Sequence, residues 1–297
     1  MSQIDDLKLK FKRFTIIEKL IVINVVVFVS FYLLNTFAFL FNASSGFLMD
    51  WFVFPKDFNS FLTQPWSIIT YAFLHSGFWH IASNMIILYF SGRYFITYLT
   101  GKRVLTVYFL GAIFGALLYM LSYNLFPAFS EEGDSVLLGA SASVMAILIG
   151  TATYIPYMTV RLMFIGSIKF WWIAAFFVIL DIVQIPAGNA GGHIAHLGGA
   201  LFGYLYASQL KKGNDIGSWF EKLMDATVSL FTPRKKSPLK TVHKAKKPKN
   251  TTKKATSSPA KNPNQAQIDA ILDKISKSGY DSLTKQEKDF LFKAGKD

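Results

Sequence analysis

The sequence predicts an all-α, polytopic membrane protein with six membrane-spanning helices. Hydrophobic residues make up 52% of the 297 residues, and they are concentrated before about residue 210. This part of the chain contains six apolar segments, and each comes close to the roughly 20 residues that a spanning helix needs. We expect these helices near 20–41, 77–99, 103–126, 137–158, 168–185 and 192–210.

Charge separates this membrane region from a basic tail. Before Lys211 the chain has 11 Lys and Arg against 9 Asp and Glu, whereas from Lys211 onwards it has 20 against 9. Such a contrast is typical of a membrane domain followed by an extramembrane tail. Because cysteine is absent, disulfide frameworks and thiolate metal sites are excluded.

Four parts are therefore expected along the chain. Residues 1–19 form a cytoplasmic N-terminal segment, 20–210 the membrane domain, and 211–265 a basic, largely disordered linker. Residues 266–297 form a small helical hairpin, because apolar residues recur there with helical spacing and a capping-box pattern from Thr284 to Glu287 opens a second helix.

Lysine and arginine are concentrated at the beginning of the chain, in alternate loops and in the tail. The positive-inside rule then places both termini in the cytoplasm, which agrees with an even number of spans. We expect the helices to contact the lipid bilayer, and we expect the basic tail to contact anionic lipid headgroups weakly. We expect no nucleic-acid binding, because residues 234–261 contain no aromatic side chain that could stack on bases.

Two pairs of glycines indicate close packing of helices. Gly111 and Gly115 are four residues apart in the third segment, and Gly199 and Gly203 in the sixth. Small residues at this spacing allow helix backbones to approach each other. For the first pair, chance occurrence in an apolar helix is an equally good explanation.

A serine and a histidine in apolar segments suggest chemistry. Ser141 lies near the start of the fourth segment, directly after Gly139 and Ala140, and His196 lies in the glycine-lined sixth segment. Polar side chains within lipid are costly, so they indicate a function. A hydroxyl at a helix N-terminus, with an imidazole as its base, suits nucleophilic catalysis, and Gly139 would keep the approach to the hydroxyl open.

A second polar pair lies on the second segment. His80 and Asn84 are four residues apart and so share a helix face. Together with the backbone N–H of Ser141 they would form an oxyanion hole. The alternative is that Asn84 holds two helices together and that His80 caps loop backbone.

Three motifs in this order resemble those of the rhomboid intramembrane serine proteases. They are His75 with His80-Ile-Ala-Ser-Asn84, then Gly139-Ala-Ser141-Ala, then Ala195-His196-x-x-Gly199-x-x-x-Gly203. The resemblance covers about residues 64–206 and implies a six-helix rhomboid-like bundle.

The resemblance also implies roles for individual residues. Ser141 would be the nucleophile and His196 its base, in a dyad without a third acid. The oxyanion donors would be His80, Asn84 and the Ser141 amide, and Gly199 would let the fourth and sixth helices approach. No cofactor or metal is expected. The substrates would be single-span or polytopic membrane proteins cut near the outer leaflet, and we expect a bacterial inner membrane as the location.

Some residues need separate interpretations. Many members of the family have Trp-Arg in the first loop where this chain has Trp66-Ser67, and the nucleophile is often followed by Gly rather than Ala142. We interpret Ser143 as a packing serine and His193 as a loop or interface residue. We expect Asp181 to have a structural hydrogen-bonding role, not that of a triad acid.

Two other functions are weighed against the protease. A catalytically inactive rhomboid-like protein that binds or escorts membrane proteins would usually lack the serine or the histidine. A metalloenzyme built on His75, His80, His193 and His196 is disfavoured, because no carboxylate-rich helix and no His-Glu-x-x-His motif accompany these residues.

Overall fold

The computed structural model of the chain describes residues 3–43, 49–129, 133, 135–162, 166–231 and 263–294. The chain divides into two compact units, residues 1–235 and 236–297, here called the first and the second unit. The described residues are mostly helical, which agrees with the predicted class except for two short β-ribbons.

The helices of the first unit follow the predicted segments closely. Six of them form the bundle: α2 (Ile16–Leu40), α5 (Phe78–Tyr98), α6 (Gly101–Leu125), α7 (Ser141–Tyr154), α8 (Phe170–Gln184) and α9 (Ala190–Lys211). Outside it, the helices that the described residues contain in full are α1 (Gln3–Arg13), α3 (Phe58–Thr63), α4 (Ser67–Thr70) and α10 (Ser218–Phe231).

Three helices of the described chain are long and apolar enough to cross a membrane: α2, α6, and α8 with its 3-10 extension to Ala187. The helix α7 is apolar but has only 14 residues. The helices α5 and α9 have 21 and 22 residues, and polar residues and glycines lower their hydropathy. The predicted count of six spans thus stays a prediction.

The helix α7 lies at the centre of the first unit. All residues from Ala142 to Ala152 are buried, since α5, α6, α8 and α9 surround this helix. A helix that is apolar on all sides is expected in such a central position.

Glycines allow the neighbours of α7 to approach its backbone. A Cβ atom at Gly199 would collide with the carbonyl oxygen of Ala142, and one at Gly203 with that of Ala146. On α6, a Cβ atom at Gly111 would collide with the Ala146 side chain, and one at Gly115 would lie 2.6 Å from Ala142 Cβ. Both glycine pairs therefore lie at helix–helix contacts in the structure.

Two short ribbons join loops of the first unit. Strand β1 (Phe54–Pro55) pairs antiparallel with β2 (Val136–Leu137), directly before the turn that leads to α7. Strand β3 (Thr159–Leu162) forms a hairpin with β4 (Gly166–Lys169) between α7 and α8. These pairings are not predicted from the sequence, because strands of two to four residues have no usable periodicity.

The predicted linker differs from the structure over α10. This helix falls inside the range 211–265, where a largely disordered linker was expected. Two ion pairs hold this part of the chain to the start of α6. Arg103 pairs with Asp215, just before α10, at 3.0 Å, and Lys102 pairs with Asp225, within α10, at 2.6 Å. The lysine-rich composition of the following residues hid the shorter helical pattern; residues 232–262 lie outside the described part.

The second unit contains α11 (Pro263–Ser278), a 3-10 turn at Tyr280–Ser282 and α12 (Lys285–Ala294). A capping box opens α12, since the Thr284 N–H donates to Glu287 Oε2 at 2.7 Å and the Glu287 N–H donates to Thr284 Oγ1 at 3.4 Å. The Lys274 ammonium donates to Glu287 at 2.9 Å, so this ion pair joins the two helices.

Replacement of Gly203 by Ala should lower the free energy of unfolding of the first unit by about 1–3 kcal/mol, because the new Cβ overlaps a helix backbone that cannot yield freely. The measurement is chemical unfolding in detergent. Gly133→Ala is the matched control, since a Cβ atom there has open space around it. Equal stability of the two variants would contradict the proposed helix contact.

Replacement of Lys274 by Gln should raise the pKa of the Glu287 carboxyl towards its ordinary value. Hydrogen bonds from Lys274 and then from Thr284 hold this pKa at about 2. Because the folded pKa is depressed, the stabilisation is present above the ordinary pKa of about 4.3 and is lost as the pH falls towards 2. Carboxyl ¹³C NMR of Glu287 in the full chain measures this pKa. The exposed Lys277, replaced by Gln, is the control, and a wild-type value near 4.3 would refute the prediction.

Candidate active site in the helix bundle

Ser141 is the first residue of α7 and follows a glycine with a special backbone conformation. Gly139 has φ +126°, a left-handed value that favours glycine, and its N–H donates to the Tyr71 carbonyl oxygen at 2.9 Å. The first N–H groups of a helix have no partner within it, so the start of α7 offers hydrogen-bond donors beside the Ser141 hydroxyl.

The register of α7 and α9 brings His196 to the level of Ser141. Ala142 contacts Gly199, and four residues further along both helices Ala146 contacts Gly203. The two helices therefore run parallel, and successive turns of one lie beside successive turns of the other. His196 lies one helical turn before Gly199. It is therefore level with the turn that presents Ser141.

Both residues line one cavity of about 550 Å³ between α5, α7, α8 and α9. Among the described residues, the Ser141 hydroxyl and the His196 ring make no direct hydrogen bond with each other. Catalytic hydrogen bonds commonly tighten only when substrate is bound. The polar side chains of the cavity wall are Ser76, His80, Ser83, Asn84, Ser141, Asp181, Asn189, His193 and His196.

His80 directs a ring nitrogen towards Ser141. The backbone N–H of Ser76 approaches His80 Nδ1 at 3.4 Å, and because an N–H can only donate, Nδ1 accepts and the ring hydrogen belongs on Nε2. A Cβ atom at Gly139 would lie 2.8 Å from His80 Nε2 and 3.5 Å from Ser141 Oγ. The His80 donor and the Ser141 hydroxyl thus flank the same glycine.

Asn84 lies one turn below His80 and is only 5% exposed. Its Nδ2 donates to the His80 carbonyl oxygen at 2.8 Å, and a side-chain amide has a second N–H that this bond leaves free to face the cavity. The sequence allowed two interpretations of Asn84, an oxyanion donor or a residue that holds two helices together. This hydrogen bond stays within α5, so it does not support the second interpretation.

Asp181 contacts His196 directly. Its Oδ1 is 2.7 Å from His196 Nδ1 and 2.8 Å from His193 Nδ1, and the residue is 6% exposed. A carboxylate oxygen can only accept, so both rings donate from Nδ1 and each keeps Nε2 as an acceptor. Asp181 therefore makes hydrogen bonds, as expected, but its partner is the histidine proposed as base. This is the position of a triad acid, which was not expected from the sequence.

This partnership was not predicted from the sequence, although a signal was present. Asp181 is the only acidic residue between Gly166 and Lys211, and an isolated acid in an apolar helix usually marks a function. His193 also differs from its expected place as a loop or interface residue, because it lines the cavity beside His196.

The other candidate residues do not line this cavity. His75 is 3% exposed and belongs to the wall of a different cavity, next to α2; burial and the nearby His80 lower its pKa to about 4, so its ring is neutral at neutral pH. Ser143 is fully buried, and its hydroxyl has no hydrogen-bond partner among the described residues, which fits a packing serine.

One group of side chains in the described chain could hold a metal ion. The ligand atoms of Asp181, His193 and His196 all lie within 4.8 Å of one another. The four histidines considered as metal ligands from the sequence do not form this group, since His75 and His80 lie outside it.

The fold and this cavity define a helical membrane protein with serine, histidine and carboxylate side chains inside its bundle. The chain belongs to the rhomboid family: the Rhomboid domain model matches residues 62–212, half of the chain. This family includes serine proteases that act on membrane-protein substrates within the bilayer. A family of unknown function (DUF6576) matches residues 258–293.

Curated relatives support this assignment. The chain is similar to RHOMBOID-like protein 12, mitochondrial, of Arabidopsis thaliana, with 30% identity over 58% of this chain and 57% of the relative. Rhomboid protein 1, mitochondrial, of Saccharomyces cerevisiae is 30% identical over 56% of this chain and 47% of the relative. Presenilin-associated rhomboid-like protein A, mitochondrial, of Danio rerio is 32% identical over 48% of this chain and 37% of the relative. The chain spans about half the length of the curated relatives it matches.

The relatives overturn the expected location. A bacterial inner membrane with both termini in the cytoplasm was predicted, but these relatives are eukaryotic and mitochondrial, which points away from a bacterial membrane. The physical reason for the error is that charge asymmetry distinguishes the two sides of a membrane and carries no information about which organelle contains it.

Proposed function

We propose that this chain is an intramembrane serine endopeptidase that cuts transmembrane-helix substrates. The observation that carries the proposal is that Ser141, His196, His80 and Asn84 line a single cavity. Each of these residues has an ordinary structural explanation alone, whereas together they provide a nucleophile, a base and oxyanion donors.

In the proposed reaction, Ser141 Oγ attacks the peptide carbonyl carbon and gives its proton to His196 Nε2. Asp181 supports this step, because its bond to Nδ1 keeps the hydrogen there and leaves Nε2 able to accept. The carboxylate would also stabilise the imidazolium that forms. Return of this proton to the leaving amine would release the first product, and water would then hydrolyse the acyl-enzyme.

The oxyanion of the tetrahedral intermediate would be held by three donors. These are the backbone N–H of Ser141, the Nε2–H of His80 and the free amide N–H of Asn84. Such fixed donors act where charge develops, and removal of one typically lowers the rate about 100- to 1000-fold.

We propose a six-span arrangement with the site below the outer surface. The 14 residues of α7 give a length of about 21 Å, less than the roughly 30 Å of the hydrocarbon core. Ser141 would then lie within the membrane and be reached by water through the cavity. A substrate helix must unwind locally before its backbone can react, so residues that weaken helices are expected near the cut. The substrates would be single-span or polytopic membrane proteins.

The basic tail, residues 234–261, is proposed as an accessory that contacts anionic lipid headgroups. Each lysine or arginine near such a surface contributes about 1 kcal/mol. This part of the proposal depends on composition alone, because these residues lie outside the described part of the chain.

Replacement of Ser141 or His196 by Ala should each reduce cleavage of a reconstituted single-span model substrate by at least about 1000-fold, because the dyad acts as a unit. Metal chelators should not lower the wild-type rate. Ser143→Ala and His243→Gln are the matched controls, one a buried serine two residues away and the other a histidine of the tail.

The outcomes separate the candidate functions. Loss of cleavage in both variants, with a serine-directed probe that labels wild type and not Ser141→Ala, supports the protease. Failure of the wild-type chain to cut any substrate in a panel, or to react with the probe, would favour an inactive binding or escort protein. Inhibition by chelators would favour a metalloenzyme.

Replacement of Asp181 by Asn should lower kcat by up to about 10⁴-fold, the size of the effect when a serine protease loses the carboxylate behind its histidine. KM should change little, because Asp181 acts through His196 rather than on substrate. The measurement is steady-state cleavage in proteoliposomes, with Asp181→Glu expected to recover part of kcat. A variant with normal kcat, or one in which KM alone rises, would show that Asp181 only packs the bundle.

A further inference from the structure

We propose that Asp181, His193 and His196 form an inhibitory binding site for a zinc ion. This inference depends on the proposed function, since its consequence is the loss of His196 as the base. The observation behind it is that two imidazoles converge on one carboxylate oxygen, with Nδ1–Oδ1 distances of 2.7 and 2.8 Å.

The backbone places all three ligands on one side of the cavity. His193 and His196 are three residues apart on α9, so their rings project from the same helix face, and Asp181 comes from the facing helix α8. The three ligand atoms lie within 4.8 Å of one another. A zinc ion with ligand distances of 2.0–2.2 Å holds tetrahedral ligands roughly 3.4 Å apart. Zinc would therefore fit if each hydrogen-bonded pair separated by less than about 1 Å and the two histidine nitrogens came to the same spacing.

The chemistry of the ligands favours zinc over the harder cations. Imidazole nitrogens suit zinc, whereas magnesium and calcium prefer oxygen ligands. Two histidines and one carboxylate form a ligand set found in zinc sites that keep a fourth position for water. The carboxylate supplies negative charge beside two imidazoles that can bind in their neutral form.

The ion can reach these ligands through the cavity. The side chains of His193 and His196 are 13% and 21% exposed, and that of Asp181 is 8% exposed. All three belong to the cavity wall that also contains Ser141. A zinc ion in the aqueous entrance therefore meets the histidines first and the carboxylate behind them.

Zinc binding at Nδ1 would remove the base. With zinc on Nδ1, the hydrogen of the neutral His196 ring moves to Nε2, the atom that must accept the Ser141 proton. The hydroxyl then has no acceptor, and its attack on the substrate stops. His193 supplies a ligand that the proposed reaction does not use, so the two functions can be separated by mutation.

The first experiment measures metal binding without activity. Cobalt(II) replaces zinc as a coloured probe and is titrated into the full-length Ser141→Ala chain in detergent, followed by visible absorption. We expect one tetrahedral cobalt per chain, displaced by zinc, and at least a tenfold weaker affinity after the additional change His193→Gln. The added change His243→Gln in the tail is the control and should have no effect.

The second experiment measures inhibition of substrate cleavage by added zinc, with each variant compared with its own zinc-free rate. Zinc should inhibit the wild-type chain, and His193→Gln should require at least a tenfold higher zinc concentration. No cobalt binding, or binding that His193→Gln leaves unchanged, overturns the site. If the site binds metal but the wild-type chain cleaves at its full rate in the presence of zinc, the inhibitory role is overturned. If the Ser141→Ala chain binds cobalt but the wild-type chain cuts no substrate, the proposed protease is contradicted and the metal site stays supported.

Discussion

The close approach of α7 and α9 is the constraint on which the rest of the site depends. Gly199 and Gly203 have no side chain where a Cβ atom would meet the carbonyl oxygens of Ala142 and Ala146. Within a bilayer, helices associate through packing and hydrogen bonds rather than through the hydrophobic effect, so such a contact must be tight to be stable. Its register aligns the turn before α7 with the first turns of α9, and the candidate nucleophile and base come to the same level as a result.

A second layer of contacts fixes the orientation of the polar groups in this frame. Ser76 holds one nitrogen of His80 and leaves the other beside Gly139, while Asp181 holds His196 and His193. An unpaired polar group within the membrane would be costly. The hydrogen bonds that satisfy these groups also determine which ring nitrogen donates and which accepts, so the same contacts stabilise the fold and prepare the proposed chemistry.

Much of the bundle could be predicted because apolar length is a strong signal in membrane proteins. The predicted segments 77–99 and 103–126 differ from α5 and α6 by at most two residues at each end. The motifs around Ser141 and His196 likewise identified residues that share a cavity. Register was not predictable in the same way, since glycine spacing shows that a helix can pack closely but not which carbonyl it meets. The partnership of Asp181 with two histidines depends on the α8–α9 contact, which no local pattern contains, and the helix α10 was obscured by the lysine-rich residues that follow it.

The shared carboxylate sets the arrangement apart from a simple serine–histidine pair. Asp181 Oδ1 accepts from two rings at once, so His193 competes with His196 for the same atom. A base that had Asp181 to itself would be held more tightly, which makes the second histidine hard to explain by catalysis alone. Nor does burial explain it, because His193 is partly exposed in the cavity. A ligand that uses all three groups would account for the competition, because it requires two imidazoles on one face of α9 and a single acid opposite them.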